Sequence, residues 1–141
     1  MTVYAESSAV IAWLLEQARG EAVRRALTEA ESVVTSELAL VEFDRALLRL
    51  ISTSAMTPAA AASVRARLAA TMHPWSVMPI STFVVDRARQ PFPFDSIRAL
   101  DALHLASVVV AQVTLGNIDV LSLDDRIREN ASALGFRVLP A

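Results

Sequence analysis

The chain has 141 residues, 54% of them hydrophobic, and 13 basic against 15 acidic side chains leave a net charge of −2. With no cysteine and two histidines, disulfides, thiolate nucleophiles and cysteine-based zinc sites are excluded, and any metal must be held by oxygen. The longest apolar run, Ala99 to Leu115, is interrupted by Asp101, His104 and Gln112, so it does not read as a membrane span, and MTVYAESS lacks the basic flank of a signal peptide.

A cytoplasmic protein of one domain, residues 1–141, is therefore expected, with no membrane partner. Every basic residue is arginine. Arginine suits bidentate phosphate contacts, but a GC-rich genome would give the same bias, and the net charge is no nucleic-acid footprint by itself.

Thr2 to Ala5 reads as a strand, and Ser7 or Ser8 as the N-cap of a helix from Ala9 to Leu15, which leaves the carboxylate of Glu6 at the strand's C-terminal end. Glu21 to Thr28 is a short second helix and Ser32 to Thr35 a second strand. Ser36 then caps a long helix to about Leu50. On it Leu40, Phe43, Leu47, Leu50 and Ile51 form the core-facing arc, while Glu42, Arg45 and Arg49 fall together on the other side. For a glutamate between two arginines the plain reading is an ion pair on a solvated face.

Thr57-Pro58 opens an alanine-rich helix to about Ala70 with proline at N1. Trp75 to Ile80 is a third strand, Ser81 caps a helix to about Arg89, and PFPFDS delivers Asp95 or Ser96 as the next N-cap. Asp119 to Ser122 is a fourth strand running into Asp124 and Asp125, and Asp125, which can be the N-cap, opens the helix that follows to Leu134. Gly135 stops that helix, and Phe136 to Leu139 closes the chain as a fifth strand.

Ile97 to Val110, IRALDALHLASVVV, organises the rest. Its polar residues, Arg98, Asp101, His104 and Ser107, recur every third position on an otherwise apolar helix that should be buried. An ionised Asp101 there is hydrogen-bonded, paired with a cation such as Arg98, or bound to a metal. Strands alternating with helices predict an α/β fold with a central parallel sheet and helices on both faces, whose ligands lie beyond the carboxyl ends of the strands. Glu6 and Asp124 both belong to that edge. Carboxylates converging without enough cations make a divalent ion the natural counter-charge.

VYAESSAV, SELALVEFDRAL, the R-x-x-D-A-x-H-L-A run from Arg98 to Ala106, VLSLDDRI and the closing GFRVLP together resemble the PIN-domain nucleases, specifically the VapC-type toxins of toxin–antitoxin pairs. The similarity runs along nearly the whole chain. It implies a PIN-like three-layer fold and a Mg²⁺-dependent endoribonuclease, with Mn²⁺ as the other ion to consider. Catalysis would rest on Glu6, Glu42, Asp101 and Asp124. Of these, Glu6, Asp101 and Asp124 would hold the metal and Glu42 would orient the attacking water or complete the metal shell. Ser7, Arg45, Arg49, Arg98 and His104 would contact phosphate or support the site. An RNA substrate, a cognate antitoxin protein and a homodimer follow from the same resemblance. The first acid is usually Asp in this family. Glu6 carries its carboxylate roughly 1.5 Å further out, which leaves a second reading, a PIN-like module that binds RNA or a partner protein without cutting.

Overall fold

The computed structural model describes residues 1–141. Its strands are β1 (Thr2–Ala5), β2 (Ser32–Ser36), β3 (Ser76–Met78), β4 (Asp119–Leu121) and β5 (Val138–Leu139), and its helices are α1 (Ser7–Leu14), α2 (Gly20–Glu29), α3 (Glu37–Ser52), α4 (Pro58–Met72), α5 (Thr82–Ala88), α6 (Ala99–Leu115) and α7 (Asp125–Ala133). All strand pairs are parallel, in the order β3-β2-β1-β4-β5. The chain thus steps outward from β1 to β3 and then returns past β1 to lay down β4 and β5. That reversal leaves a crevice beyond the carboxyl ends of β1 and β4, the position where open parallel sheets bind their ligands.

The central strands are apolar on both faces, as a sheet covered on both sides requires. Tyr4, Val34 and Val120 face a core built with Leu105, Val108 and Ile127 from α6 and α7. The alternate residues face the other layer: Ala5 and Val33 pack with Val10, Phe43 and Leu68, and Val3 and Leu121 with Val23 and Ala26. On that second side Gly20 lets α1 and α2 meet, because a Cβ there would lie 2.7 Å from the Ala12 carbonyl oxygen. No helix is long and apolar enough to cross a membrane.

Ser36, Thr57 and Ser81 cap their helices as expected, through bonds from Leu38, Ala60 and Val84 N–H. Elsewhere the helix starts differ from the sequence reading. Glu6 itself, not Ser7 or Ser8, caps α1, because its extended backbone lets the carboxylate reach the Ser8 N–H. Asp124 rather than Asp125 caps α7, accepting from Ile127 N–H. Neither Asp95 nor Ser96 caps α6. Asp95 closes a local turn on Phe92 N–H, and the helix begins after Arg98, whose N–H is taken by the carboxylate of Asp101 one turn in.

Two burial expectations also change. The first turn of α6 reaches solvent, with Leu100 48% exposed, and Val113 near its other end is 86% exposed, so only the middle of the helix, His104 to Val108 with Ala111, is core. On α3 the inward arc is Leu38, Ala39, Phe43 and Leu47, and Leu40 is 37% exposed. The arc is therefore turned toward Leu38 and Ala39. At about 100° per residue, Glu42 falls between those two on the helical wheel and points inward rather than away.

Candidate active site

β1 ends at Ala5, level with Leu121 of β4, and the Glu6 N–H extends the ladder by donating to the Leu121 carbonyl. The Glu6 side chain is thereby set in the crevice between the two strands, 4% exposed. A buried carboxylate needs donors to every lone pair, and here the protein supplies them. Ser7 Oγ (2.8 Å) and Ser8 N–H (3.0 Å) donate to Oε1, and Ser8 Oγ and Ser122 Oγ (2.7 Å) donate to Oε2. Leu123 and Asp124 N–H in turn donate to Ser8 and Ser122 Oγ. These hydroxyls lace the end of β1 to the end of β4.

Glu42 reaches the same place from α3. Its Oε1 lies 3.0 Å from Ser7 Oγ and 2.5 Å from Nε2 of His104, which rises from α6. His104 Nε2 is also 3.8 Å from Glu6 Oε1, and Nδ1 lies 2.8 Å from the Tyr4 hydroxyl. Burial is the largest influence on the Tyr4 phenol and pushes its pKa far above the ordinary tyrosine value; the Ser107 hydroxyl pulls it down by less, and charge on Glu6 raises it further. Tyr4 therefore keeps its proton.

The ligand atoms of Glu6, Glu42 and His104 all fall within 4.8 Å of one another. This acidic cluster, whose two carboxylates have no arginine within ion-pair distance, could bind a divalent cation. Its oxygens suit a hard ion.

Of the residues singled out from sequence, the structure brings together Glu6, Ser7, Glu42 and His104. Asp101 and Asp124 stand outside the cluster. Each lies at a helix N-terminus and gives one oxygen to a backbone N–H, leaving the other without a donor from the protein. Asp101 pairs with the Arg98 backbone rather than its guanidinium. Glu42 forms no ion pair with Arg45 or Arg49, because it faces the crevice while both arginines stay exposed on α3. Arg98 is exposed as well. Sequence reasoning passed over Tyr4 and Ser122. Their one signal was position, since each falls within two residues of the carboxyl end of β1 or β4, where Glu6 and Asp124 had already drawn notice.

The PIN domain family model matches residues 3–133. The chain belongs to the PIN-domain family. Among its relatives, the ribonuclease VapC46 of Mycobacterium tuberculosis is 31% identical over 137 residues, covering 97% of this chain and 95% of the relative. Two solved structures share the PIN fold. The VapBC2 complex of Rickettsia felis, bound to a DNA fragment from its promoter, superposes with a TM-score of 0.64 at 6% identity over 98% of this chain and 97% of that one. Mycobacterium tuberculosis VapC20, a toxin that cleaves the sarcin–ricin loop, gives 0.61 at 18% identity over 95% of each chain. The α/β architecture expected from the sequence is the one these PIN proteins share.

Proposed function

We propose that this PIN protein is a metal-dependent endoribonuclease and the toxin of a toxin–antitoxin pair, its whole length forming one nuclease domain. The observation that carries this reading is the pair Glu6 and Glu42, converging at the sheet's switch point with no arginine to neutralise them. The family membership and the VapC46 relationship support the choice of RNA as substrate.

Asp101 and Asp124, with the negative charge of Glu6 beside them, would hold Mg²⁺, with Mn²⁺ as the alternative, and Glu42 would orient its water or complete its shell. Bound there, the ion would polarise the scissile phosphate and make its water a better nucleophile. The chain's own groups do the rest. Glu42 Oε2 accepts no hydrogen bond from the protein, so it is the atom free to orient the attacking water and take its proton. The spare oxygens of Asp101 and Asp124 are likewise available, whereas Glu6 is engaged by serines and mainly adds negative charge and fixes the two strand ends. Arg45, Arg49 and Arg98, exposed and free of acidic partners, would guide the phosphate backbone. A cognate antitoxin, a homodimer and a cytoplasmic location belong to the same reading.

One observation favours the second reading, a module that binds without cutting: all four donors around Glu6 come from the protein itself. RNA cleavage with Mg²⁺, Mn²⁺ or EDTA, comparing wild type with Asp101→Asn, separates the two. Cleavage that EDTA and the substitution both abolish supports the nuclease; binding without cleavage under every cation rejects it.

A further inference from the structure

We infer that Tyr4 is a positioning residue whose hydroxyl, by donating to Nδ1 of His104, fixes the imidazole proton on Nε2 and thereby holds Glu42 with Oε2 facing outward. Its importance to turnover rests on the nuclease reading above, but the hydrogen-bond direction does not. An ionised carboxylate only accepts, so the ring nitrogen 2.5 Å from Glu42 Oε1 must carry a proton. A neutral imidazole with its proton on Nε2 has only an acceptor at Nδ1. The group 2.8 Å from Nδ1 must then donate, and that group is the Tyr4 hydroxyl. With a neutral His104 these steps give a directed chain, Tyr4 to His104 to Glu42, running from the core to the crevice.

The setting enforces that direction. Tyr4 is wholly buried on β1 and His104 is 2% exposed, so water cannot substitute for the phenol. The rings meet edge to face at 73° with centroids 6.0 Å apart, which restricts rotation of the imidazole. Glu42 is the outermost of the three, its side chain 25% exposed, and with Ser7 on the same oxygen its second oxygen is left for the reacting groups. A phenylalanine at position 4 would keep the packing and leave the Glu42 carboxylate as the one remaining group that sets the tautomer. The ring could then turn an acceptor nitrogen toward Glu42, repelling it. Partners that orient a metal-ligating histidine through its far nitrogen are worth about 10- to 100-fold in metal affinity or activity, and a loss at the lower end of that range is expected here.

The test begins with the metal-free wild-type protein labelled with ¹⁵N in its histidines. There are two, His104 and the exposed His73, so assignment is direct. His104 is expected to show a protonated Nε2 and an unprotonated Nδ1; a proton on Nδ1, alone or as well as on Nε2, overturns the inference. Tyr4→Phe should shift His104 toward mixed tautomers and lower kcat on RNA about 10-fold or more with KM little changed. His104→Gln supplies the control, since an amide donates to Glu42 without a tautomer to choose. Adding Tyr4→Phe to His104→Gln should slow cleavage no further. Equal slowing in both backgrounds, or a Tyr4→Phe protein with an unchanged His104 spectrum, would make Tyr4 merely structural. Should the wild type cleave no RNA under any cation, the nuclease reading fails while the spectrum still decides the direction of the bonds.

Discussion

Glu42 Oε1 and His104 Nε2 lie 2.5 Å apart, tying helix α3 to helix α6 across the carboxyl edge of the sheet. The acid that an inward arc centred on Leu40 would leave in solvent is held against the most buried part of α6. For Glu42→Gln the amide oxygen can still accept from His104, so stability should change by less than about 1 kcal/mol. Turnover should fall by about 100-fold or more, the scale of losing a group that handles a proton. Thermal melts paired with cleavage rates check both halves, and an unimpaired rate would return Glu42 to a structural role.

Asp101 is placed to show the same separation. Its Oδ2 accepts from the Arg98 N–H at 3.2 Å, a bond that asparagine can also make. Asp101→Asn should cost only the charge at a helix N-terminus, about 0.3–1 kcal/mol, yet abolish EDTA-sensitive cleavage. A large drop in melting temperature with activity lost only in proportion would mean that the carboxylate serves the fold.

Glu6→Asp restores the residue usual in PIN proteins and should nevertheless harm this one. Drawing the carboxylate back by roughly 1.5 Å takes it out of range of Ser122 Oγ, now at 2.7 Å and wholly buried. A buried hydroxyl left without its acceptor costs about 1–3 kcal/mol. The variant should melt earlier and bind Mg²⁺ more weakly by calorimetry. An Asp variant that is more stable and cuts faster would mean that Glu6 is not adapted to its serines.

Gly20→Ala tests the packing of α1 on α2 apart from any chemistry. The new Cβ would meet backbone atoms, the Ala12 oxygen at 2.7 Å and the Trp13 Cα at 3.1 Å, and these cannot rotate aside. Forcing the helices apart should cost about 1–3 kcal/mol and lower the denaturation midpoint, with the rate per folded molecule unchanged.

The parallel sheet was legible because β-branched and apolar runs alternate with helices, and the place of the site because acids follow two of the strands. What could not be read was which way each helix turns. Glu42 faces the crevice because Leu38 and Ala39, rather than Leu40, pack on the core, and that choice depends on the opposing layer. The start of α6 was misplaced because Asp101 caps it from inside the helix, leaving the capping position to a residue, Arg98, that does not advertise the role. Asn130 had no role in the sequence reading, yet it is fully buried and clamps both the N–H and the carbonyl of Phe94. Such a tertiary bond leaves no mark on periodicity.

The seam between β1 and β4 joins strands far apart along the sequence, with Glu6 and Ser122 116 positions apart. Synthesis runs from the N-terminus, so Glu6 and Glu42 leave the ribosome long before the strand that completes their surroundings. Until then β1 is a bare sheet edge and Asp124 has yet to be translated. On the proposed reading, a site that draws on Ser122 and Asp124 would assemble only once β4 has been made and paired with β1, so RNA cutting would be expected to begin late in synthesis.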